Sequence, residues 1–256
     1  MISCNLQGGL GNQLFQIAAA KSLSIDAADD FSIEPERCYT PNQGHKSERY
    51  SKNIFKKIDK SKDIPTTIFQ EKSFQFSPIP KIKNITLSGY FQSEKYFLNN
   101  KQEIVDLFYP TDEELSGACI WKKEKGIERP SVSVHVRRGD YLKFSDYHAI
   151  TPISYFDKST STFSDVDFIV FSDDIKWAKE NLKIKNSHFS DSGDEISDFY
   201  LMLSCSHNII SNSSFSWWAA YLNKNKDKRV VAPSRWFTEK ANLDISDLIP
   251  ESWEII

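Results

Sequence analysis

The residues best suited to chemistry lie together in His135-Val136-Arg137-Arg138-Gly139-Asp140-Tyr141, directly after an apolar stretch, Ser131–Val136, that predicts a buried strand. Two adjacent arginines are costly where a strand ends. Each presents a planar fork of donors that fits phosphate oxygens two at a time. A reaction that expels a nucleoside diphosphate builds negative charge on that leaving group, and a metal or an arginine must meet it. The segment taken alone also fits a surface strand end with one arginine paired to Asp140.

Two further segments have the composition of ligand loops. Ser211-Asn212-Ser213-Ser214-Phe215-Ser216-Trp217-Trp218 runs from a predicted strand into a predicted helix. Free backbone N–H groups at a helix start, flanked by hydroxyls, form an anion site. Serine-rich caps also precede ordinary core helices, and Trp217 and Trp218 read as packing residues. Gly8-Gly9-Leu10-Gly11-Asn12-Gln13 follows the apolar run Ile2–Leu6. It lacks the Lys-Ser/Thr of a phosphate-binding P-loop and the spacing of a dinucleotide fingerprint. Its glycines still allow close backbone approach, and Asn12 can donate to a ligand.

Acidic residues divide into candidate bases and caps. A general base must reach within ~3 Å of the hydroxyl it deprotonates. Asp146, in Phe144-Ser145-Asp146-Tyr147-His148, and Asp140 are the candidates, with His148 as a third. Asp165-Val166-Asp167 has the form of a metal-binding DxD, but it precedes its strand, Phe168–Phe171. Asp173-Asp174 follows that strand and reads as a helix cap. Both are expected to be structural, and no metal site is expected.

The elements that must position these residues alternate. The first half predicts a strand, a glycine turn and a helix over Gln13–Asp26, then a strand at Ile85–Leu87 and helices over Glu94–Phe108 and Thr111–Glu128. Pro110 separates the two helices, because proline lacks the donor and restricts its neighbour. Residues 40–80 are lysine- and proline-rich with weak periodicity and predict only short mixed elements. The second half predicts strands at Ser131–Val136, Phe168–Phe171, Asn208–Ile210 and Arg229–Ala232. Helices intervene at Thr151-Pro152 onward, Asp174–Lys183, Asp194–Cys205 and Phe215–Leu222. Such alternation implies mostly parallel, doubly wound sheets. Arg129-Pro130 marks the expected boundary, giving domains 1–128 and 129–256.

Bulk properties narrow the class. The 256 residues are 39% hydrophobic, 13% aromatic and 26% charged, which supports a folded core of ordinary polarity. A net charge of -3 argues against a general nucleic-acid binder. Four scattered cysteines show no zinc spacing and fit free thiols in a reducing compartment. No signal peptide or membrane span is evident, so a cytoplasmic protein is expected. Lys52 to Lys62 form a basic patch that suits a solvated face or loose membrane contact. A missing GxSxG argues against an α/β-hydrolase.

Together the three segments resemble the α-1,2-fucosyltransferase family, glycosyltransferase family 11, with its HxRRxDY signature. Family order is kept: Gly8 to Gln16 at the start, His135 to Tyr141 in the middle, Ser211 to Trp218 towards the end. The resemblance implies a GT-B-like α/β fold, two Rossmann-like domains facing across a cleft, with acceptor on the N-terminal side and GDP-sugar on the C-terminal side. It implies inverting, metal-independent transfer of L-fucose from GDP-fucose to the 2-hydroxyl of a terminal galactoside in surface-glycan synthesis, without a cofactor. Such acceptors are often lipid-linked. Arg137 then corresponds to the β-phosphate ligand, and Arg138 to a second cation or a partner of Asp140. His135 would lie near the diphosphate or ribose; Ser213, Ser214 and Phe215 would hold phosphate and nucleoside. His207 matches loosely a guanine contact in the related α-1,6 enzymes. Gly11 would line the donor site, Asn12 would reach the donor, and Asp146 is the favoured base. The alternatives are transfer of another GDP-sugar, use of another acceptor, or nucleotide-sugar binding without turnover.

Overall fold

The computed structural model describes residues 1–38 and 45–256, and the chain divides into two compact units. Residues 40–44 of the proline-rich stretch lie outside the described residues.

The first unit comprises Met1–Tyr109 and Asp244–Pro250. Strand β1 (Ile2–Cys4) leads through the glycine turn into α1 (Leu10–Ala27), followed by β2 (Ile68–Gln70), β3 (Ile85–Ser88) and α2 (Lys101–Phe108). The three strands are parallel in the order β1-β3-β2. Helix α1 is nearly all buried from Leu10 to Ser24, which explains its lack of a polar stripe. The helix expected over Glu94–Phe108 is broken. Two short 3-10 turns occupy Glu94–Tyr96 and Leu98–Asn100 before α2 begins. Asn100 explains the interruption, since its buried amide donates to the Ser22 carbonyl, the Ser22 hydroxyl and Asp26 of α1, tertiary bonding that overrides a continuous helix.

The second unit comprises Pro110–Leu243 and Glu251–Ile256. Its elements are α3 (Asp112–Glu124), β4 (Ser131–Val136), α4 (Ile153–Thr160), β5 (Asp167–Ser172), α5 (Ile175–Asn181), β6 (Ser187–Phe189), α6 (Glu195–Leu203), β7 (His207–Ile209), α7 (Ser214–Leu222), β8 (Val230–Ala232) and β9 (Glu254–Ile255). Unlike the expected boundary near residue 128, α3 groups with this unit. A capping box between Thr111 and Glu114 starts it just after Pro110.

The six strands are parallel, in the order β6-β5-β4-β7-β8-β9. That is the doubly wound Rossmann order, in which the winding reverses between β4 and β7. Alternation in β4 sets the packing. Val132, Val134 and Val136 join Tyr155, Phe156, Val170, Ile209 and Val231 in one core. Ser133 and His135 alternate with them, and Ser133 accepts a bond from the buried Asn208 amide at 2.7 Å. Trp217 and Trp218 are fully buried in α7 and act as packing residues, Trp217 stacking on Tyr221 at 4.7 Å between ring centroids. Among the described residues no helix is long and apolar enough to cross a membrane.

Candidate active site at the strand crossover

In doubly wound sheets a ligand crevice opens beyond the carboxyl ends of the strands where winding reverses. Here that point lies between β4 and β7, and it is where the two motif loops emerge. His135 in β4 is bonded to Ser211, just beyond β7, with its Nδ1 2.8 Å from the hydroxyl oxygen. The Phe215 ring lies 5.7 Å from the imidazole. Asn212 ties the two loops further: its backbone carbonyl accepts from the Tyr141 hydroxyl at 2.9 Å, and its side-chain carbonyl accepts from Thr151 at 3.1 Å. Its amide donates to the carbonyls of Ala149 and Trp236, both at 2.8 Å. Thr151 thus supports Asn212, and Pro152 takes the cap position of α4.

Arg137 is gripped by two carboxylates, Asp140 at 2.6 Å and Asp173 at 2.9 Å. Asp173 also accepts from the Arg138 backbone N–H at 2.9 Å. The register explains the meeting, because Val136 pairs with Ser172 and the next residues of the two strands leave side by side. The Arg138 guanidinium lies 3.6 Å from the Trp177 ring centroid and 3.7 Å from Asp174, a cation–π seat that leaves little freedom to the side chain. Asp174 caps α5 as the sequence suggests. Asp173 does not act as a cap; it orients the arginines. Asp167 of the DxD sequence pairs with Arg129 at 2.6 Å at the amino end of β5.

Burial pushes the His135 imidazole down to about 3; Asp173 partly offsets this and Arg137 adds to it. The ring is therefore neutral near pH 7, a hydrogen-bonding strut that leaves the cationic role to the arginines.

Ser213 and Ser214 sit at the start of α7, where the Ser213 side chain does not cap the helix. Gly11 and Asn12 belong to the first unit. They lie in the first turn of α1, where the Asn12 side-chain carbonyl accepts from Gln92 at 2.7 Å. Gly8 adopts φ +75°, and a side chain there would strike Asn12 at 2.4 Å, so glycine is required.

The structure separates His207 from this group. His207 opens β7 and pairs with Val132, four residues before Val136, placing it ~13 Å back along the strands at the amino edge. There it accepts from the Arg229 N–H at 3.0 Å and lies against Phe163. As the first residue of β7, His207 lies at the edge of the parallel sheet opposite the motif loops, away from the other donor-site candidates. Asp146 lies on an exposed loop and pairs with Lys240 at 2.8 Å. That hydrogen bond holds its carboxyl below the ordinary range. His148 stacks on Tyr141 at 4.0 Å between ring centroids, and burial lowers its pKa.

The sequence reading missed Asp173 and Trp177 as parts of the site, and within the Ser211–Trp218 segment it assigned no role to Ser211 or Asn212 individually. The strand ends alone could have flagged Asp173 and Ser211, since both follow strands flanking the one that carries Arg137.

Residues 65–253 match the profile of glycosyl transferase family 11. The chain belongs to this family. As a family 11 glycosyltransferase it has full-length relatives in Escherichia coli. The O-antigen biosynthesis glycosyltransferase WbnK is 32% identical over 99% of both chains, and an alpha-1,2-colitosyltransferase is 32% identical over 99% of this chain and 98% of its own. Galactoside alpha-(1,2)-fucosyltransferase 2 of Oryctolagus cuniculus is 26% identical over 87% of this chain and 67% of its own. The fucosyltransferase NodZ from Bradyrhizobium shares the fold at a TM-score of 0.54, with 14% identity over 85% of this chain and 91% of that one. The family 11 chain thus has the α/β, GT-B-like fold class expected from its sequence.

Proposed function

We propose that this glycosyltransferase transfers L-fucose from GDP-fucose to the 2-hydroxyl of a terminal galactoside, with inversion and without a divalent metal. The observation that carries the donor half is the Arg137 fork, preset by Asp140 and Asp173 beside the crevice between β4 and β7. The second unit holds the GDP-sugar and the first the acceptor. As the bond between the fucose anomeric carbon and the β-phosphate oxygen breaks, charge moves onto GDP. Arg137 meets it, at least one carboxylate giving way to the phosphate, with Arg138 as a second cation. Ser213, Ser214 and Phe215 line the donor side, and His135 supports them as a neutral ring.

The acceptor hydroxyl oxygen forms the new bond to the anomeric carbon, and its proton passes to a carboxylate. Asp146 fits that role because its side chain is exposed and ionised. Asp140 is engaged by Arg137 and acts as a positioning group. The relatives support the linkage and acceptor class, and the enzyme belongs to cytoplasmic assembly of surface glycans. Loose membrane contact through a lipid-linked acceptor is part of this reading, but the Lys52 to Lys62 patch supports it weakly. Lys57 is bonded to the carbonyls of Asp106 and Tyr109, and Lys62 pairs with Glu36. The colitosyltransferase relative favours a second reading, the same reaction with GDP-colitose.

GDP release from GDP-fucose and from GDP-colitose, with lactose as acceptor and EDTA present, followed by linkage analysis, tests the proposal. A 2-linked α-fucosyl product is expected. A product from GDP-colitose alone would transfer the assignment to the second reading. GDP release that needs an added divalent ion would overturn the metal-free mechanism.

A further inference from the structure

The first unit holds a half-buried acid that the donor chemistry does not use. Glu71 follows β2, and burial raises its pKa while the backbone N–H groups of Tyr90 and Phe91 oppose the rise. Those two N–H groups donate to its two carboxylate oxygens at 2.6 and 3.0 Å. They belong to the turn after β3, at the carboxyl edge of the parallel sheet, the edge that also carries the Gly8–Asn12 loop.

That turn is constrained on every side. A Cβ on Gly89 would lie 2.3 Å from the Glu71 Cβ. Phe91 is fully buried in the left-handed region at φ +51°, a conformation that a bulky residue keeps only when its surroundings enforce it. Its ring packs edge-on against Tyr96 at 5.2 Å. Gln92 leaves the turn to hold Asn12. Gly89, Phe91, Gln92 and Ser93 are buried, yet Tyr90 between them is 41% exposed. Backbone strain and a half-buried carboxylate thus fix the one exposed residue of the turn.

An exposed phenol ring on a rigid turn suits a pyranoside, whose C–H face stacks on the ring while its hydroxyls meet the phenol oxygen. We propose that Tyr90 is the stacking face for the acceptor sugar and that Glu71 is the positioning residue that fixes it. This rests on the galactoside reading above.

The test measures binding apart from turnover. Saturation-transfer NMR with methyl β-lactoside reports acceptor binding, calorimetry with GDP reports the donor site, and initial rates give KM for each substrate. Tyr90→Ala is expected to raise the acceptor KM roughly three- to tenfold, the size of an aromatic stacking contact. It should weaken the lactoside signal and leave GDP affinity and Tm unchanged, and Tyr90→Trp should restore the KM. Glu71→Gln keeps its volume but offers one carbonyl to two N–H groups, and should raise the acceptor KM similarly. If Glu71 acts through Tyr90, the double variant adds little to either single change. An unchanged acceptor KM and lactoside signal in Tyr90→Ala overturns the stacking face, as does a wild-type protein that binds no lactoside. Additive effects overturn the positioning role. Lactoside binding without any transfer defeats the fucosyltransfer reading and leaves Tyr90 standing.

Discussion

Replacing Arg137 with alanine removes a guanidinium held by ion pairs of 2.6 and 2.9 Å. If that fork meets the diphosphate in the transition state, its loss costs about 3–5 kcal/mol, or roughly 150- to 5,000-fold in kcat/KM. The side chain is 29% exposed, so the lower half of the range is expected. Arg137→Lys should recover little, because a point charge cannot span two phosphate oxygens as the fork does. The variant also leaves two carboxylates without their cation, which lowers stability. Arg129→Ala is the control: it breaks a comparable pair with Asp167 at 2.6 Å, at the opposite edge of the same sheet. Thermal unfolding and steady-state rates on both variants separate the effects. Arg129→Ala should lower Tm with kcat/KM unchanged, and Arg137→Ala should lower both. Loss of less than tenfold in kcat/KM for Arg137→Ala, in a folded protein, would refute the assignment of the leaving-group cation.

Three other outcomes follow from the site. His135 has a folded pKa of about 3 against an unfolded value near 6.5, so its contribution is complete above ~6.5 and is lost as pH falls towards 3. The slope is at most about 1.4 kcal/mol per pH unit, and urea unfolding at several pH values should show a shallower acid loss in His135→Asn. Asp146 is held low by Lys240; if it is the base, activity falls as pH drops through its pKa. Lys240→Ala should therefore move the acidic limb of the kcat/KM profile to higher pH, and Asp146→Asn should cut kcat by about 100-fold or more. Asn212→Ala strands the Thr151 hydroxyl and two carbonyls, and should lower stability by about 2–4 kcal/mol in denaturant titration.

Strands and helices of the second unit were legible because their signals are local. Ser131–Val136 alternates valines with polar residues, and Asp174 and Asp194 stand where caps stand. Strands β2, β6 and β9 were missed, being two or three residues long and fixed by pairing with neighbours more than by their own pattern. The helix over Glu94–Phe108 was overextended because the bonds that break it at Asn100 come from α1, 74 and 78 residues away. Tertiary contacts of that kind override propensity.

The site was legible as motifs and illegible as a constellation. Spacing finds Arg137 and Arg138 because they are adjacent, but Asp173 is 35 residues from Arg138 and looks like the first half of a cap. What joins them is topology. In a parallel sheet every strand delivers its next residues to one edge, so residues after adjacent strands meet whatever their sequence separation. Strand β4 has β5 on one side and β7 on the other. The residues after β5 supply Asp173, those after β7 supply Ser211 to Ser213, and Arg137 leaves β4 between them. The same rule sets apart His207, the first residue of β7, which lies at the other edge. Strand order therefore decides which polar residues of this unit can act together, and it assigns to Asp173 a role that no local pattern announces.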